Sequence, residues 1–390
     1  MKGRTSRVTD ERRLIMLPGP TNVPDRVMRA MLKPIINHRG PEFAALLDSV
    51  SEGLKYVFET KQDVYVLTSS GTGAVECAIS NVVNPGDKVI IPVFGFFSER
   101  LKEKVTRHGG KVVEIPVEWG KAPTAEQIED TVKKEKDAKL VAIVHNETST
   151  GVTVRDLPQI GKIAGENGVL LMADSISILG GDRLPVDEWN IDLCVAGSQK
   201  CLASPPGLAM ISVGKRAWEA IEKKTVKPPY YFDLTSIRDY ASRRETPFTP
   251  AISLYYALDE ALKMIREEGL DKRYQRHAEC AEAFYSAFEA LDLKPYPDKN
   301  VRSHTVIAVN VPSGVDGAKI REIMKERYKV VISGGLGKIR QLILRIGCMG
   351  MISEAEVFTT INALENALAD LKHPVKIGAG TEVARKVFRS

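Results

Sequence analysis

The 390-residue sequence has few of the features that mark secreted, membrane-spanning or zinc-binding proteins. It contains only 5 cysteines, an odd number, with no CxxC pair and no Cys/His spacing typical of a zinc site. No stretch approaches the ~18 uninterrupted apolar residues of a membrane span, and the N-terminal region lacks an apolar signal core. We therefore expect a cytoplasmic protein with reduced thiols, no bound metal and no membrane partner.

The sequence also lacks a strong charge of either sign. Lys and Arg number 55 against 50 Asp and Glu, which leaves a net charge of +5 and does not indicate a nucleic-acid partner. Hydrophobic residues at 43% and charged residues at 27% exclude a disordered or collagen-like chain. The length predicts two domains, or one large and one small domain.

Several catalytic motifs are missing as well. There is no GxxxxGK[ST], no GxSxG and no HExxH, which argues against nucleotide hydrolysis, α/β-hydrolase chemistry and zincin chemistry. The segment Gly71-Thr72-Gly73-Ala74-Val75-Glu76 begins like GxGxxG but ends in Glu, so the dinucleotide fingerprint is absent too.

What the chain does contain is a regular alternation of short apolar runs and helical segments. The runs are rich in β-branched residues and do not alternate cleanly, which is typical of strands buried on both faces of a mainly parallel sheet. The predicted strands are 64–68, 88–92, 111–115, 140–145, 169–173, 192–196 and 208–213. The predicted helices between them are 73–83, 96–108, 125–136 and 157–167. The order predicts an α/β domain.

The C-terminal part has a different pattern. A helical tract over 254–293 is interrupted near Gly269, and the strands predicted over 305–311 and 342–346 flank a helix over 317–328. We therefore predict a large domain over 26–270 and a smaller α+β domain over 271–390. Residues 1–25 are too rich in Pro and Gly for a helix, and we expect them to wrap across both domains.

Three features at predicted strand ends could carry chemistry. The turn Ser69-Ser70-Gly71-Thr72-Gly73 opens a helix and could bind a phosphate, although a simple capped turn explains it equally well. Asp174 and Lys200 each follow a buried strand, where ligands bind in open α/β sheets. Singly, each is more often a cap or a surface charge. Together they match pyridoxal 5'-phosphate, which needs a lysine for an imine, a carboxylate for the pyridine nitrogen and a phosphate site.

Six separated motifs extend this interpretation, and together they resemble the class V aminotransferases, specifically the alanine:glyoxylate and serine:pyruvate group. The resemblance runs in order from about residue 14 to 370. Its motifs are Pro18-Gly19-Pro20-Thr21, Ser69-Ser70-Gly71-Thr72-Gly73-Ala74-Val75-Glu76, His145-Asn146-Glu147-Thr148-Ser149-Thr150-Gly151, Ala173-Asp174-Ser175, Gly197-Ser198-Gln199-Lys200 with Pro205-Pro206-Gly207, and Leu344-Arg345-Ile346-Gly347.

The resemblance implies a fold type I enzyme dependent on pyridoxal 5'-phosphate, and it implies roles at matching positions. Lys200 would form the imine and move the substrate proton, and Asp174 would pair with the pyridine nitrogen. The other cofactor-binding residues implied are Ser70, Gly71 and Thr72 with Gln199 at the phosphate, Phe97 stacked on the ring where a well-known animal member has Trp, and Thr148 near the phenolic oxygen.

The resemblance also implies a homodimer with active sites at the interface. Thr249 would reach the phosphate of the neighbouring subunit, although the alignment there needs a one-residue gap. Tyr230 and Tyr231 are interpreted as subunit contacts. Arg345 would bind the carboxylate of every α-amino acid, because a planar guanidinium donates two parallel hydrogen bonds to it.

The predicted reaction is a ping-pong transamination from alanine or serine to glyoxylate or pyruvate. One alternative is a lyase of the cysteine desulfurase type, where a His commonly precedes the lysine; here Gln199 does. A second alternative is a non-catalytic subunit of a larger complex that keeps the fold. Cys201 next to the lysine is interpreted as packing rather than a nucleophile. The sequence does not decide the preferred donor and acceptor.

Overall fold

The computed structural model of the chain describes residues 13–389. Residues 1–12 of the predicted N-terminal segment lie outside the described residues. The part of the chain up to Glu268 contains the N-terminal segment and a large α/β unit. Its elements in chain order are β1 (Leu14–Ile15), α1 (Asp25–Ala30), α2 (Pro41–Val57), β2 (Asp63–Thr68), α3 (Gly71–Val82), β3 (Lys88–Val93), α4 (Phe96–Arg107), β4 (Lys111–Pro116), α5 (Ala125–Lys134), β5 (Ala138–Val144), β6 (Asn146–Glu147), β7 (Val152–Thr153), α6 (Leu157–Glu166), β8 (Leu170–Asp174), β9 (Leu193–Gly197), β10 (Leu208–Val213), α7 (Lys215–Glu222), α8 (Leu234–Ala241) and α9 (Ile252–Glu268).

Seven strands of this unit form one sheet in the order β2-β10-β9-β8-β5-β3-β4. Neighbouring strands are parallel except at β10, which is antiparallel to both β2 and β9. The prediction of a mainly parallel α/β sheet is confirmed. Strands β9 and β10 are buried along their whole length, which explains why their sequences are continuous apolar runs.

The strand directions bring distant parts of the chain to one edge of the sheet. Because β2 and β9 both run opposite to β10, β2 points the same way as the parallel strands. The carboxyl ends of β2, β3, β5, β8 and β9 therefore lie along the same edge. This edge holds most of the predicted site residues.

Residues 270–387 build a smaller unit around a separate hydrophobic core. That core contains Phe284, Phe288, Leu344 and Ile346, none of which belongs to the core of the large unit. A three-stranded antiparallel sheet in the order β11-β14-β13 lies within it. The elements are α10 (Leu270–Ala290), β11 (Val306–Asn310), α11 (Gly317–Tyr328), β12 (Val330–Val331), β13 (Ser333–Gly334), β14 (Ile343–Gly347), α12 (Glu354–Asp370) and α13 (Ala379–Val387).

The described part of the N-terminal segment contacts both cores. Strand β1 pairs in parallel with β12 of the smaller unit, and Met16 is buried in the smaller core. Helix α1 packs on α9 of the large unit, where Arg26 forms ion pairs with Glu260 and Glu267. The boundary at residue 270 and the segment boundary at residue 25 stay predictions.

Helix α2 is not among the predicted helices, although it carries a clear helical signal. Its buried residues Phe43, Leu46, Val50, Leu54 and Val57 recur every three or four positions, so one face of the helix packs on the core. Where a helix was predicted in the large unit, its observed ends agree to within two residues. Among residues 13–389, no helix has both the length and the apolar character needed to cross a bilayer.

We expect Gly347→Ala to destabilise the protein. Gly347 ends β14 and its N–H donates to the carbonyl of Met16 at 2.8 Å, while a Cβ there would lie 2.0 Å from the carbonyl oxygen of Leu17. Because backbone must move to relieve the overlap, the free energy of unfolding should fall by ~1–3 kcal/mol in a denaturation series. Gly165→Ala in α6 is the control, since its nearest neighbour is at 3.5 Å and alanine favours the helix. Equal stability of both variants would contradict the N-terminal packing.

Candidate active site

Lys200 follows β9 and is covered by the N-terminal segment. Its Nζ donates a hydrogen bond to the carbonyl of Pro18, and its own carbonyl accepts one from Thr21 Oγ1 at 3.2 Å. Gly19 packs so closely that a Cβ there would lie 2.5 Å from Nζ, and its φ of +104° is one that few other residues adopt. The amine is therefore held among backbone groups rather than exposed to bulk water.

This environment changes the basicity of the amine. The pKa of Lys200 is lowered to about 8, mainly by burial and in part by the positive charge of Arg345, while Cys201 and Asp174 oppose the shift. Burial disfavours the charged form of a lysine because the ammonium loses its hydration. The uncharged amine, which is the nucleophilic and basic form, is thus populated much closer to neutral pH than in an exposed lysine.

Asp174 is the last residue of β8, at the same edge of the sheet. Its Oδ1 accepts the N–H of Ile176 at 3.2 Å, and its carbonyl accepts the N–H of His145 at 3.0 Å. The pKa of Asp174 is raised to about 6, mainly by burial and in part by the charge of Glu147, while the hydrogen bond from Ile176 and the charges of Lys104 and Lys200 oppose the shift. A carboxylate that is costly to ionise in this position suits a ligand that brings a positive charge.

The turn after β2 forms the N-terminus of α3. Ser70 is the N-cap residue with an extended ψ of 164°, and its side chain makes no capping hydrogen bond, so the first N–H groups of the helix stay open at its N-terminal end. Gly71 and Gly73 leave no room for a side chain, since a Cβ would lie 2.6 Å from Ile176 Cδ1 or 2.0 Å from Ser69 Oγ. Such a helix end with open N–H groups binds anions.

Gln199 beside the lysine provides a test of whether these residues fit a phosphate. Its Oε1 is buried and has no hydrogen-bond partner among residues 13–389. A buried amide without a partner is unfavourable, and its oxygen and nitrogen can exchange places by rotation of the amide. After that rotation the NH₂ group can donate to an anionic oxygen. The site thus fits a phosphate-bearing cofactor that forms an imine with lysine.

Two further predicted residues, Phe97 and Thr148, follow strands β3 and β5 in the chain. Phe97 is half-buried in the first turn of α4, with its ring 5.8 Å from the ring of Phe96 in an edge-to-face arrangement. The Arg100 guanidinium lies 5.8 Å from the Phe97 ring and donates to Thr72 Oγ1 at 3.4 Å. Thr148 is 7% exposed in the tight turn that joins β6 and β7.

Arg345 reaches the large unit from the centre of β14. It is 6% exposed, and it donates from Nε to the carbonyl of Gly334 at 2.8 Å and from Nη1 to the carbonyl of Thr148 at 2.9 Å. Burial lowers the pKa of Arg345 to about 10, and Glu147 opposes the shift. No carboxylate within residues 13–389 forms an ion pair with it, so the guanidinium is held in place by neutral carbonyls and keeps its charge for a ligand.

Thr249 is not part of this group. It is exposed and lines a surface pocket of about 320 Å³ together with Thr68, Tyr231 and Phe248. Within the described part of the chain it forms no hydrogen bond with the other predicted site residues. Its predicted role requires a second subunit and stays a prediction.

Two groups near the lysine and the arginine were not among the predicted site residues. One is the carbonyl of Pro18, which accepts from the lysine and lies within a motif quoted above. The other is Glu147, a completely buried carboxylate between Asp174 and Arg345. The sequence signal that could have identified Glu147 is an acidic residue shortly after the buried strand β5, followed by Thr148, Ser149 and Thr150. Cys201 is buried and its pKa is raised to about 12 by burial, which agrees with the packing interpretation.

Several known proteins are similar in sequence to this chain over almost its whole length. An aminotransferase of Methanocaldococcus jannaschii described as uncharacterized is 41% identical over 97% of this chain and 98% of its own length. The serine–glyoxylate aminotransferase of Methylorubrum extorquens is 37% identical over 96% of both chains. A protein of Anabaena cylindrica named soluble hydrogenase 42 kDa subunit is also 37% identical, over 97% of this chain and 99% of its own.

Solved structures share the whole architecture. The ureidoglycine–glyoxylate aminotransferase of Bacillus subtilis superimposes with a TM-score of 0.93 at 31% identity, covering 98% of this chain and 100% of that one. The alanine–glyoxylate aminotransferase of Nostoc has a TM-score of 0.90 at 33% identity, covering 94% and 97%.

The family model named Aminotransferase class-V matches residues 16–351, a range that contains Lys200, Asp174 and Arg345. The resemblance inferred from the six motifs is therefore confirmed, and so is the fold that it implied. The chain belongs to the class V aminotransferases.

Proposed function

We propose that the protein is a pyridoxal phosphate-dependent transaminase that moves an amino group from a small amino acid, alanine or serine, to a small 2-oxo acid, glyoxylate or pyruvate. The observation that carries this proposal is the proximity of three charged residues: Asp174 and Lys200 follow the neighbouring strands β8 and β9, and the charges of Asp174 and Arg345 both act on the Lys200 amine. Two of these residues belong to the large unit and the third to the smaller unit. The family, and the glyoxylate named for several relatives, support the same reaction class.

The cofactor would be held by groups that follow five strands of the sheet, β2, β3, β5, β8 and β9. Lys200 supplies the amine, Asp174 the carboxylate for the ring nitrogen, and Phe97 an aromatic face. The phosphate would be bound by Ser70, Gly71 and Thr72 at the start of α3 and by Gln199, with Thr148 near the phenolic oxygen. Bound there, pyridoxal phosphate supplies an electron sink that stabilises negative charge at the substrate Cα.

Arg345 would orient the substrate. Its guanidinium is fixed by two carbonyls, so it loses little conformational freedom when a carboxylate binds. Lys200 would take the proton from the substrate Cα, and its lowered pKa favours the basic form needed for this transfer. A second half-reaction with the 2-oxo acid would reverse these steps, which makes the kinetics ping-pong.

The two alternatives receive less support from the residues present. A desulfurase commonly has His where this chain has Gln199. The non-catalytic alternative is suggested by the hydrogenase-subunit name of one relative. It leaves unexplained why a buried lysine, a buried arginine and an orphaned glutamine amide are retained in one crevice. We therefore favour catalysis.

We also propose a homodimer, formed by the surface next to Thr249. Tyr231 and Phe248 stack there with ring centroids 5.0 Å apart, and Tyr230 is 82% exposed although its ring also contacts Phe248. An exposed aromatic cluster beside a pocket is typical of a protein interface. Thr249 on this surface would be placed to approach the partner's phosphate site.

The absorption spectrum tests the function directly. With pyridoxal phosphate the protein should show a near-visible band that is lost on addition of L-alanine and returns with glyoxylate. Lys200→Ala should abolish the band's response and turnover, whereas Lys102→Ala, a lysine paired with Glu114 on the outer face of α4, should retain both. A protein that stays colourless with added pyridoxal phosphate would refute the proposal. A matrix of amino donors and 2-oxo acids with the wild-type protein would then identify the preferred pair.

Asp174→Asn should stabilise the cofactor-free protein while weakening its affinity for pyridoxal phosphate. Because burial raises the pKa of Asp174 to about 6, the folded state binds this proton more tightly than the unfolded chain, and the stability contribution of Asp174 falls as pH rises through that range. At ~1.36 kcal/mol per pKa unit, the free energy of unfolding of the variant should exceed that of the wild type by up to ~3 kcal/mol near pH 8 and by less near pH 5. Thermal unfolding at both pH values measures the gap, and a gap independent of pH would contradict it.

For the dimer, sedimentation velocity should give about twice the mass of one chain. Tyr230→Asp should shift the equilibrium toward the monomer because it places a charge in the apolar contact. Ile377→Asp is the matched control, since Ile377 is 55% exposed on the smaller unit outside this surface. Dissociation by both substitutions, or by neither, would count against the proposed interface.

A further inference from the structure

Glu147 is a charged residue in the crevice to which the proposed reaction assigns no role. It is 0% exposed, and no lysine or arginine among residues 13–389 forms an ion pair with it. Its carboxylate instead accepts hydrogen bonds from the N–H of Ser98 at 2.9 Å, the N–H of Phe97 at 3.2 Å, and the N–H and hydroxyl of Ser149 at 3.1 and 2.6 Å. A buried carboxylate without a cation is unfavourable unless such donors compensate for its lost hydration.

Two of those donors lie in the first turn of α4. A helix usually satisfies its first N–H groups with the side chain of its N-cap residue. The N-cap of α4 is Gly95, which has no side chain, and Glu147 lies in its place: a Cβ on Gly95 would be 2.2 Å from Glu147 Cγ. The start of α4 is therefore held by a residue from the turn after β5, with the positive end of the helix dipole facing the carboxylate.

The same residue lies next to two groups that would contact the ligand. Phe97, whose N–H it accepts, is the aromatic residue proposed to stack on the cofactor ring. Thr148 follows Glu147 directly, and its carbonyl accepts Nη1 of Arg345 at 2.9 Å. One carboxylate thus links the residue that would contact the ring to the guanidinium that would bind the substrate.

We propose that Glu147 is a positioning residue of the active site: its buried carboxylate fixes the start of α4, and with it Phe97, relative to Thr148 and Arg345. This inference rests on the proposed transaminase function. The carboxylate also acts at a distance, because its negative charge raises the pKa of both Asp174 and Arg345. Glu147 does not itself touch the reacting atoms.

The competing interpretation is that Glu147 only stabilises the fold. The chain offers a matched residue for that role in Glu365, which is also 0% exposed and caps α13 in the same way. Its oxygens accept the N–H groups of Gly378 at 2.9 Å, Gly380 at 2.8 Å and Thr381 at 3.3 Å, far from the sheet edge that carries Lys200. Comparison of the two glutamates separates a role in positioning from a role in stability.

The experiment uses Glu147→Gln and Glu365→Gln in the full chain. Both changes keep the shape of the side chain, remove its charge and replace one acceptor oxygen by a donor NH₂, so both should lower the thermal midpoint. Only Glu147→Gln should weaken pyridoxal phosphate binding to the cofactor-free protein, by ~10–100-fold in an absorbance titration, because a helix start held by charge-assisted hydrogen bonds is released. It should also shift the near-visible band and raise KM for the amino donor.

A second variant keeps the test decisive if Glu147→Gln does not fold. Gly95→Ala retains the carboxylate but forces the start of α4 away from it, so it should weaken cofactor binding and shift the band in the same direction. Wild-type cofactor affinity and an unchanged band in either folded variant would overturn the inference, as would equal losses in Glu365→Gln. A wild-type protein that binds no pyridoxal phosphate would instead refute the proposed function, and the two failures are distinguishable.

Discussion

The constraint on which the rest of the site depends is the burial of several charges in one crevice without ion pairs between them. Removing a charged side chain from water is expensive, and it lowers the pKa of Lys200 and Arg345 and raises that of Asp174. The protein compensates with backbone dipoles. Lysine and arginine donate to carbonyls, while Asp174 and Glu147 accept from N–H groups. Because neutral groups solvate these charges, their electrostatic attraction stays available to an anionic ligand.

This arrangement also explains why the N-terminal segment lies where it does. A lysine at a sheet edge would be hydrated if nothing covered it, and its pKa would then approach that of an exposed amine. Residues 17–21 cover the lysine, and the carbonyl of Pro18 accepts its hydrogen bond. On one side of these residues β1 pairs with β12 of the smaller unit, and on the other side α1 packs on α9 of the large unit. Two glycines permit the close approach: Gly19 of the segment lies against the lysine side chain, and Gly347 of the smaller unit lies against the carbonyl of Leu17 in the segment.

Sequence patterns predicted the sheet because its central strands are buried on both faces and therefore consist of apolar residues. They could not show that β10 is antiparallel, since an apolar run such as Leu208–Val213 carries no direction. Asp174 and Lys200 were predictable from their positions at strand ends. The position of Glu147 after a strand was also visible in the sequence, but its role was not, because its partners in α4 are about fifty positions away and only the folded chain brings them within hydrogen-bond distance. Arg345 needed the family motif, since a lone arginine in a strand has no local signature.

The two cores are also connected by charge, which bears on how freely Arg345 can move relative to Lys200. Helix α10 begins after Gly269, and its first turns carry two arginines that share Glu268 as a partner. Arg273 is 1% exposed and donates to the carbonyl of Cys201, directly after the lysine, at 2.5 Å. Arg276 donates to the carbonyl of Gly350 at 3.1 Å, close to the end of β14. Because both arginines share one carboxylate, a rotation of the smaller unit that moved them would strain the hydrogen bond that Arg273 donates to the carbonyl of Cys201, next to Lys200. The geometry between proton-transfer group and substrate anchor is therefore maintained by the fold itself before any ligand binds.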